Sequence, residues 1–414
     1  MDAHIATLTR LIEKARETIT PFVHRTPMEH STTLSTLSGA EVFLKLENLQ
    51  KTGSFKIRGA TYALARLRQK GFRGGVVAAS AGNHAQGVAY AASQFGFPAT
   101  IVMPVHASLA KVEATKGYGA AVELVGQDFG EAYTYAQALA AKNTMRFIPA
   151  FDDLAVIAGQ GTVGLEIVEQ LPDVDAIVVA TGGGGLIAGI TAAVKAQRPE
   201  VAVYGVQAQD ADAMVRSYQT GHLTTGGVAT IADGIAVGQP GRLPFAVIRH
   251  HVDGLVTVTD EQIATAMLLL LERSKQVVEA AGAAPLAALL GGELPLKGKR
   301  VALVLSGGNV DVVFLQHVLE YALQAEGRYW RTQVILTDRP GSLATLLMLV
   351  ASTGANLLSI EHHREGRRSA VSRIEVELAL ETSGSAHIAQ LKQLLQQEGY
   401  TLSETESSNA APHR

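Results

Sequence analysis

Short apolar runs alternate with amphipathic helical patterns along most of the chain from about residue 40. The runs and the helical segments that follow them are GGVVAAS with NHAQGVAYAASQFG, ATIVMP with SLAKVEATKGYG, and AVELVG with DFGEAYTYAQALAAK; the later runs are DAIVVAT, VAVYGVQA and KRVALVLSGG. Strands that are apolar on both faces and separated by helices are typical of a parallel sheet with helices on both sides. The pattern therefore predicts an open α/β fold, in which ligands bind beyond the carboxyl ends of the strands.

The pattern changes around QAEGRYWRT, residues 324–332, which hold the single tryptophan, Trp330. The segments that follow are TQVILTD (strand), PGSLATLLMLVAST (helix), ANLLSIEHH (strand), SAVSRIEVELAL (strand) and HIAQLKQLLQQEG (helix), with YTLSE as a candidate last strand. This order predicts a small α+β domain of ferredoxin-like type. The last residues, TESSNAAPHR, have the composition of a disordered tail.

Composition excludes several classes of protein. The 414 residues carry a formal net charge of −3, which gives no long-range attraction to nucleic acid or to an anionic membrane. There is no cysteine, so disulfides, thiolate catalysis and cysteine-ligated metals are excluded, and a cytoplasmic location is expected. The first 20 residues predict an amphipathic helix with charges throughout, unlike a secretory signal.

Three glycine-rich or polar turns follow predicted strands: SAGNHAQG (80–87), TGGGGLIAG (181–189) and SGGN (306–309). Four consecutive glycines, Gly182, Gly183, Gly184 and Gly185, allow several backbone N–H groups to converge at a helix start, which predicts a phosphate site. Gly183, Gly185 and Ala188 also fit the G-x-G-x-x-A spacing of a dinucleotide site. That motif expects an acidic residue at the end of the next strand, where this chain has Gln207, so the dinucleotide interpretation lacks its confirming residue.

The segment SFKIRGA, residues 54–60, places Lys56 between Phe55 and Ile57 at a predicted helix start. On one interpretation Ser54 caps this helix and Lys56 is an ordinary solvated charge. A phosphate site together with a lysine on another turn instead suggests a phosphorylated carbonyl cofactor held as a Schiff base.

Taken together, SFKIRGA, SAGNHAQGVAYAA, AVIAGQGT, TGGGGLIAG and SGGN, in this order, resemble the fold-type II pyridoxal-phosphate enzymes, and among them the threonine dehydratase (threonine ammonia-lyase) group. The resemblance covers roughly residues 5 to 320. The C-terminal segment, with DRPGSL opening its first helix, is similar to the ACT regulatory domain. We therefore expect a catalytic domain at 1–325 (two open parallel-sheet subdomains, the smaller at about 48–150 inserted in the larger), an ACT-like domain at 331–404 and a tail at 405–414.

The resemblance implies a role for each matching position. Lys56 would hold pyridoxal phosphate through its amine and then remove the substrate's α-proton, with a pKa lowered by the helix end and by apolar neighbours. Asn83 would bind the 3′-oxygen of the cofactor, and Ser306 would face its ring nitrogen. The implied cofactor-binding residues are Phe55, Lys56, Asn83, Gly182, Gly183, Gly184, Gly185, Leu186 and Ser306. The backbone of Ser80, Ala81, Gly82, Asn83 and His84 would receive the substrate carboxylate, with His84 positioning rather than acting as the base.

Two departures from the family pattern bear on the expected reaction and on the expected need for a metal. Serine racemases carry a second serine where this chain has Ala81, so dehydration is favoured over racemisation. Some relatives bind a divalent cation just after the strand matching VAVYGVQA, but here those positions are Gln207 and Ala213. Asp210 and Asp212 are the remaining candidate ligands, and we expect no required metal.

The resemblance implies elimination of L-threonine to 2-oxobutanoate and ammonia, feeding isoleucine synthesis. A serine or hydroxyaspartate dehydratase, a nicotinamide-dependent oxidoreductase and a non-catalytic amino-acid binding protein are the alternatives. We expect the ACT-like domain to bind a branched-chain amino acid through Asp338, Gly341, Ser342 and Asn356, and the chain to form a homo-oligomer.

Overall fold

The computed structural model describes residues 3–363 and 373–403, and these fold into two compact units that divide between Val312 and Val313. The tail predicted at 405–414 lies outside the described residues. Nowhere in the described ranges is a helix both long enough and apolar enough to cross a bilayer.

The first unit contains ten strands and twelve α-helices among its described residues. Its strands are β1 Met28–His30, β2 Glu41–Leu46, β3 Val76–Ala79, β4 Ala99–Met103, β5 Ala121–Leu124, β6 Arg146–Phe147, β7 Ala176–Ala180, β8 Ala202–Ala208, β9 Gly254–Val258 and β10 Arg300–Leu305. Its helices are α1 Ala3–Ile19, α2 Thr32–Ser38, α3 Lys56–Gln69, α4 Asn83–Phe95, α5 Leu109–Gly117, α6 Phe129–Lys142, α7 Leu154–Gln170, α8 Gly185–Gln197, α9 Ala213–Thr220, α10 Arg242–His251, α11 Asp260–Ser274 and α12 Ala280–Gly291.

Two open sheets organise this unit. The larger has the order β1-β2-β10-β7-β8-β9, in which only the β1–β2 pair is antiparallel. The smaller is wholly parallel, with the order β5-β4-β3-β6. Strands β3, β7 and β10 are buried almost throughout because helices cover both faces. The predicted α/β fold with two parallel-sheet subdomains is confirmed.

Helix α7 packs closely against both α3 and α8, because glycines at the two contacts have no side chains. A Cβ atom at Gly159 of α7 would lie 2.4 Å from the Arg58 carbonyl oxygen of α3. On α8, a Cβ atom at Gly189 would lie 2.5 Å from the Ile157 carbonyl oxygen of α7. The glycines of AVIAGQGT and TGGGGLIAG therefore let α7 pack closely against both the helix that begins at Lys56 and the helix that follows the glycine turn.

A buried ion network connects α3 and α7 to β2 and the turn that follows it. The Arg58 guanidinium donates to both carboxylate oxygens of Glu47, at 2.8 Å each, and to those of Glu166 on α7 at 2.7 and 3.0 Å. Lys45 of β2, which is fully buried, donates to Glu166 at 2.6 Å. Paired and hydrogen-bonded, these four charges can be buried.

The second unit is a small α+β fold. Its elements are α13 Val312–Ala325 (which begins one residue before the unit), β11 Tyr329–Thr337, α14 Ser342–Ser352, β12 Asn356–His363, β13 Arg373–Glu381, α15 Ser385–Gln397 and β14 Thr401–Ser403. The sheet order is β12-β13-β11-β14 and every pair is antiparallel. The predicted strand and helix order is present. The predicted start of the strand TQVILTD at Thr332 is wrong, because β11 begins at Tyr329 and its alternation turns Trp330 into the core.

Helix α13 lies in the second unit, although the sequence predicts a domain boundary at residue 325. Compact units and functional domains need not share a boundary, so the assignment of residues 1–325 to a catalytic domain stays a prediction.

Candidate active site

Lys56 is the first residue of α3, and its amine points into the interior of the first unit. The Nζ atom donates a hydrogen bond to the Ala150 carbonyl at 3.1 Å and lies 5.3 Å from the centre of the Phe55 ring. Burial lowers the pKa of Lys56 to about 8, against the opposing effect of Glu279. A usable fraction of the amine is therefore uncharged near neutral pH.

Ser54 does not cap α3, so that part of the sequence interpretation is wrong. The residue before the helix is Phe55, and it makes no side-chain cap. The Ser54 backbone instead forms a bridge with Gly307, and its buried hydroxyl has no hydrogen-bond partner within the described chain. The Phe55 N–H also donates to the Ser306 carbonyl, at 3.1 Å. These two backbone contacts hold residues 54 and 55 against the 306–309 loop, so Ser54 does not take the position of a helix cap.

The turn at 80–84 leads into α4, which begins at Asn83 after Gly82. The Ser80 hydroxyl accepts a hydrogen bond from the Gly82 N–H at 3.1 Å, so this amide is already engaged. The N–H groups of Ala81, Asn83 and His84 donate to no residue in the described part of the chain. Free amides at the start of a 13-residue helix suit a carboxylate.

His84 is buried and its Nε2 atom lies 2.9 Å from the Ile148 carbonyl oxygen. Burial, and then the charge of Lys56, lower the pKa of His84 to about 3. The imidazole is therefore neutral at physiological pH, which agrees with positioning rather than proton abstraction as its role.

The glycine turn leaves a run of backbone amides without partners. Gly184 adopts φ 92° and precedes α8, which begins at Gly185 without a side-chain cap. Among the described residues, nothing accepts a hydrogen bond from the N–H groups of residues 182–186, the last of which is the buried Leu186. Buried amides are almost always paired in folded proteins, so these amides suit a bound anion, and a phosphate site here stays a prediction.

The 306–309 loop joins the other turns. Besides the contact of Ser306 with Phe55, the Gly308 N–H donates to the Gly53 carbonyl at 2.9 Å, and the Asn309 side chain donates to Asn83 Oδ1 at 2.8 Å. Ser306 is 3% exposed, so this loop lies in the interior of the first unit.

The Ala150–Phe151 dipeptide connects Lys56 to the glycine turn. The Ala150 carbonyl holds the Lys56 amine, and the next ring, Phe151, lies against the turn so closely that a Cβ atom at Gly183 would be 2.5 Å from it. The structure thus connects Phe55, Lys56, the 80–84 turn, the glycine turn and Ser306 through direct contacts; their roles stay predictions.

Sequence reasoning missed Glu279, Asn309 and Ala150. Glu279, 5% exposed, accepts a hydrogen bond from Asn83 Nδ2 at 2.7 Å. Burial and the nearby Asp233 raise the pKa of Glu279 to about 8. The signal that could have located it is a single acid inside the apolar segment QVVEAAGAAPLAALL. Asn309 lies in the SGGN motif without an assigned role, and a backbone acceptor such as Ala150 leaves no signal.

The remaining predicted residues lie elsewhere. Gln207 is buried, and its Oε1 atom accepts a hydrogen bond from the Val215 N–H in the first turn of α9 at 2.8 Å, so it acts as a helix cap. Asp210 is exposed, Asp212 pairs with Arg216 at 2.9 Å, and Ala213 begins α9.

In the second unit, Asp338 precedes α14, Gly341 has φ 91° at its N-cap, and Ser342 begins it. Asn356 begins β12 and donates to Glu381 at 3.1 Å. An effector role for these four residues stays a prediction.

The residues present fit pyridoxal phosphate. The unpaired amides of the glycine turn suit its phosphate, the amine of Lys56 suits its aldehyde, and the Asn83 amide and the Ser306 hydroxyl supply hydrogen bonds for its ring. The absence of side chains at Gly183 and Gly184 matters, because Cβ atoms there would meet neighbours at 2.5 and 2.7 Å.

Comparison with known proteins agrees with this geometry. Residues 19–307 match the family described as pyridoxal-phosphate dependent enzyme. A protein of Thermotoga maritima named L-threonine ammonia-lyase is 47% identical over 390 residues, which cover 94% of this chain and 97% of the relative.

Two solved structures are similar to most of the chain. The processed form of threonine deaminase isoform 2 from Solanum lycopersicum has a TM-score of 0.74 at 35% identity, covering 78% of this chain and 89% of that one. Maize serine racemase has a TM-score of 0.72 at 35% identity, covering 77% of this chain and 98% of that one. On its family match, its relatives and its site, the chain belongs to the pyridoxal-phosphate dependent enzymes.

Proposed function

We propose that this enzyme is a threonine ammonia-lyase, a carbon–nitrogen lyase that converts L-threonine to 2-oxobutanoate and ammonia. Threonine loses its α-hydrogen and β-hydroxyl as water; the resulting enamine takes up water again and releases ammonia, so the atoms balance. The observation that carries the proposal is the buried Lys56 amine, with a pKa of about 8, which donates to the Ala150 carbonyl beside the Phe151 ring that packs on the glycine turn. The name of the Thermotoga maritima relative supports threonine as the substrate.

Different groups of the chain bind the cofactor, bind the substrate and transfer the proton. When bound, pyridoxal phosphate supplies an electron sink for the bond that breaks at the α-carbon. Lys56 takes the α-proton, since an amine near its pKa at physiological pH is an efficient base. The amides of Ala81, Asn83 and His84 hold the substrate carboxylate, and those of residues 182–186 hold the phosphate. Asn83 and the Ser306 hydroxyl orient the ring.

A second candidate, serine racemase, is favoured by the structural similarity to the maize enzyme. Racemisation needs a proton carrier on the substrate face opposite Lys56, and the resemblance places Ala81 at that point. A methyl group carries no proton, so we favour elimination. Threonine and serine differ by one methyl, worth about 1 to 3 kcal/mol in an apolar pocket, so both substrates need testing.

The experiment is a product assay on the purified full chain. L-Threonine, L-serine and hydroxyaspartate are supplied separately, and ammonia and the 2-oxo acid are measured, together with the chirality of recovered serine. We expect 2-oxobutanoate and ammonia in equal amounts from threonine, with the highest kcat/KM. Lys56→Ala should abolish turnover. Lys51→Ala, whose amine lies 3.5 Å from the Tyr90 hydroxyl, is the matched lysine control and should retain it. Faster racemisation than elimination would refute the proposal.

For the C-terminal unit we propose an ACT-like regulatory domain that binds a branched-chain amino acid near Asp338, Gly341, Ser342 and Asn356. The ferredoxin-like strand order and the start of α14 after Gly341 support this role. We place the enzyme in the cytoplasm, at the entry of isoleucine synthesis, as a homo-oligomer.

A truncation tests the regulatory role. A chain that ends after Gly327 lacks the whole four-stranded sheet. We expect it to stay active and to lose any kinetic response to isoleucine and valine, where the full chain responds with a coupling of about 1 to 3 kcal/mol. If both chains respond equally to isoleucine and valine, the regulatory role is refuted, and this unit is better explained as a domain that holds subunits together.

A further inference from the structure

Glu279 is a buried acid at the candidate active site for which the proposed reaction has no use. It immediately precedes α12 and is 5% exposed. Its N–H donates to the Gly307 carbonyl at 3.0 Å, and its Oε1 atom accepts a hydrogen bond from Asn83 Nδ2 at 2.7 Å. Through its backbone N–H and its side chain, Glu279 therefore joins the loop of Ser306 to Asn83, the residue expected to bind the cofactor ring.

The Asn83 amide is held from both ends. Asn309 Nδ2 donates to Asn83 Oδ1 at 2.8 Å and also to the Thr52 carbonyl oxygen at 2.7 Å. A carbonyl oxygen only accepts, so Thr52 fixes which end of the Asn309 amide is the donor. Asn309 then fixes the carbonyl end of Asn83, and Glu279 fixes its NH₂ end.

One N–H of Asn83 remains after these bonds are counted. An amide nitrogen has two hydrogens, and Glu279 accepts one of them. Without Glu279, the NH₂ group could turn away from the cofactor oxygen to reach another acceptor, and the site would lose its donor. Glu279 thus prevents a reorientation that Asn309 alone leaves possible.

The loop of Ser306 is shaped around this pair. A Cβ atom at Gly307 would lie 2.4 Å from Glu279 Oε1 and 3.1 Å from Asn83 Nδ2. The SGGN motif therefore has a glycine next to Ser306 because the carboxyl group and the amide occupy the space that a side chain would need.

The contact does not depend on the charge of Glu279. Its pKa is raised to about 8, first by burial and then by Asp233, against the opposing effects of Asn83, Lys111 and Lys56. Near pH 7 the carboxyl group is mostly protonated, and its carbonyl oxygen still accepts from Asn83. Glutamine has the same shape and the same acceptor, so Glu279→Gln should preserve the contact.

We propose that Glu279 is a positioning residue, which with Asn309 orients the Asn83 amide so that its second N–H faces the ring oxygen of pyridoxal phosphate. The inference rests on the cofactor site of the proposed function and not on threonine as the substrate. A wild-type chain that binds the cofactor but leaves threonine intact would refute the substrate and leave this inference standing.

The test is titration of the cofactor-free full chain with pyridoxal phosphate, followed by the visible absorbance of the bound cofactor. Removing the acceptor in Glu279→Leu should weaken binding about tenfold and change the absorption band, since one oriented hydrogen bond is worth about that factor. Glu279→Gln should bind within about threefold of wild type with an unchanged band.

Asn48→Leu is the matched control. Asn48 donates to Gln276 at 2.9 Å and to the Val277 carbonyl at 3.2 Å, close to Glu279 but without contact to Asn83. We expect this variant to lower the unfolding midpoint and to leave cofactor affinity and absorption unchanged. Should Glu279→Leu fail to fold, Asn309→Leu removes the other support of the amide and should produce the same loss of affinity.

A double variant that exchanges the amide and the carboxyl group of Asn83 and Glu279 separates a role in positioning the cofactor contact from a role in stability alone. In Asn83→Asp with Glu279→Gln the hydrogen bond is restored with its donor and acceptor reversed, but no N–H faces the cofactor. Unfolding should return toward wild type relative to Asn83→Asp alone, while the affinity and the absorption band should not. Recovery of the band, or wild-type affinity in Glu279→Leu, would overturn the inference. Loss of turnover in Glu279→Gln with normal cofactor binding would also overturn it, by showing a proton-transfer role.

Discussion

Gly184 combines a positive φ with a crowded environment, so alanine at this position should destabilise the first unit in two ways. Its φ is 92°, and a Cβ atom would lie 2.7 Å from Met214 Cε and 2.8 Å from both Ile248 Cδ1 and Pro244 Cβ. The left-handed conformation costs an alanine about 1 to 2 kcal/mol. Overpacking adds about 1 to 3 kcal/mol, because the methionine methyl can move but the proline ring cannot. Gly184→Ala should therefore cost roughly 2 to 5 kcal/mol.

Gly292 provides a control that separates the two costs. It caps α12 with φ 78°, and a Cβ atom there meets nothing within 4 Å. Gly292→Ala should cost only the backbone part, about 1 to 2 kcal/mol. Guanidinium unfolding of both cofactor-free variants gives the difference, provided that the denaturant slopes agree. Equal losses would refute the idea that the turn is packed against Pro244 and Ile248. Gly184→Ala should also weaken cofactor binding, and Gly292→Ala should not.

The remaining predictions concern pH, the ion network and proton transfer. The uncharged amine of Lys56 is the form that captures pyridoxal phosphate, and its pKa is lowered to about 8, so capture by the cofactor-free protein, followed by absorbance, should accelerate as the pH rises through 8. A midpoint near the ordinary lysine value of 10.5 would show that the amine is not desolvated. Arg58→Met should cost about 3 to 5 kcal/mol in denaturant unfolding, because it leaves the buried carboxylate of Glu47 without its ion pair and Glu166 with Lys45 alone. A loss below about 1 kcal/mol, the value of a surface pair, would contradict the buried network. Ala81→Ser should introduce weak racemisation of L-serine, measured by α-proton exchange with solvent and chiral analysis; wild-type racemisation as fast as elimination would contradict the role given to Ala81.

The sequence predicted those features of the fold and the site whose residues all lie within one short segment. The alternation of apolar runs and helices predicted the two parallel-sheet subdomains because strands covered on both faces must be apolar throughout. The glycine turn was recognisable because four glycines in a row have few structural uses, and its amides have no hydrogen-bond acceptor among the described residues. Lys56 was recognisable only in combination with the other motifs.

Groups that act across the fold could not be predicted from local patterns. Asn83 and Glu279 are separated by 196 residues, and nothing in either segment indicates the other. Ser54 has the sequence of a helix cap, but docking against the Ser306 loop overrides that preference. The sequence predicts that the strand TQVILTD begins at Thr332, but pairing with β13 extends β11 back to Tyr329 and buries the Trp330 ring.

The central claim is that the amine of Lys56 binds the cofactor covalently, and one measurement tests it directly. The protein loaded with pyridoxal phosphate is reduced with borohydride, digested and analysed by mass spectrometry. The account predicts one phosphopyridoxyl group per chain, on the peptide that contains Lys56, and none after the same treatment of Lys56→Ala. Modification of another lysine, such as Lys51 or Lys111, with Lys56 unmodified would contradict it.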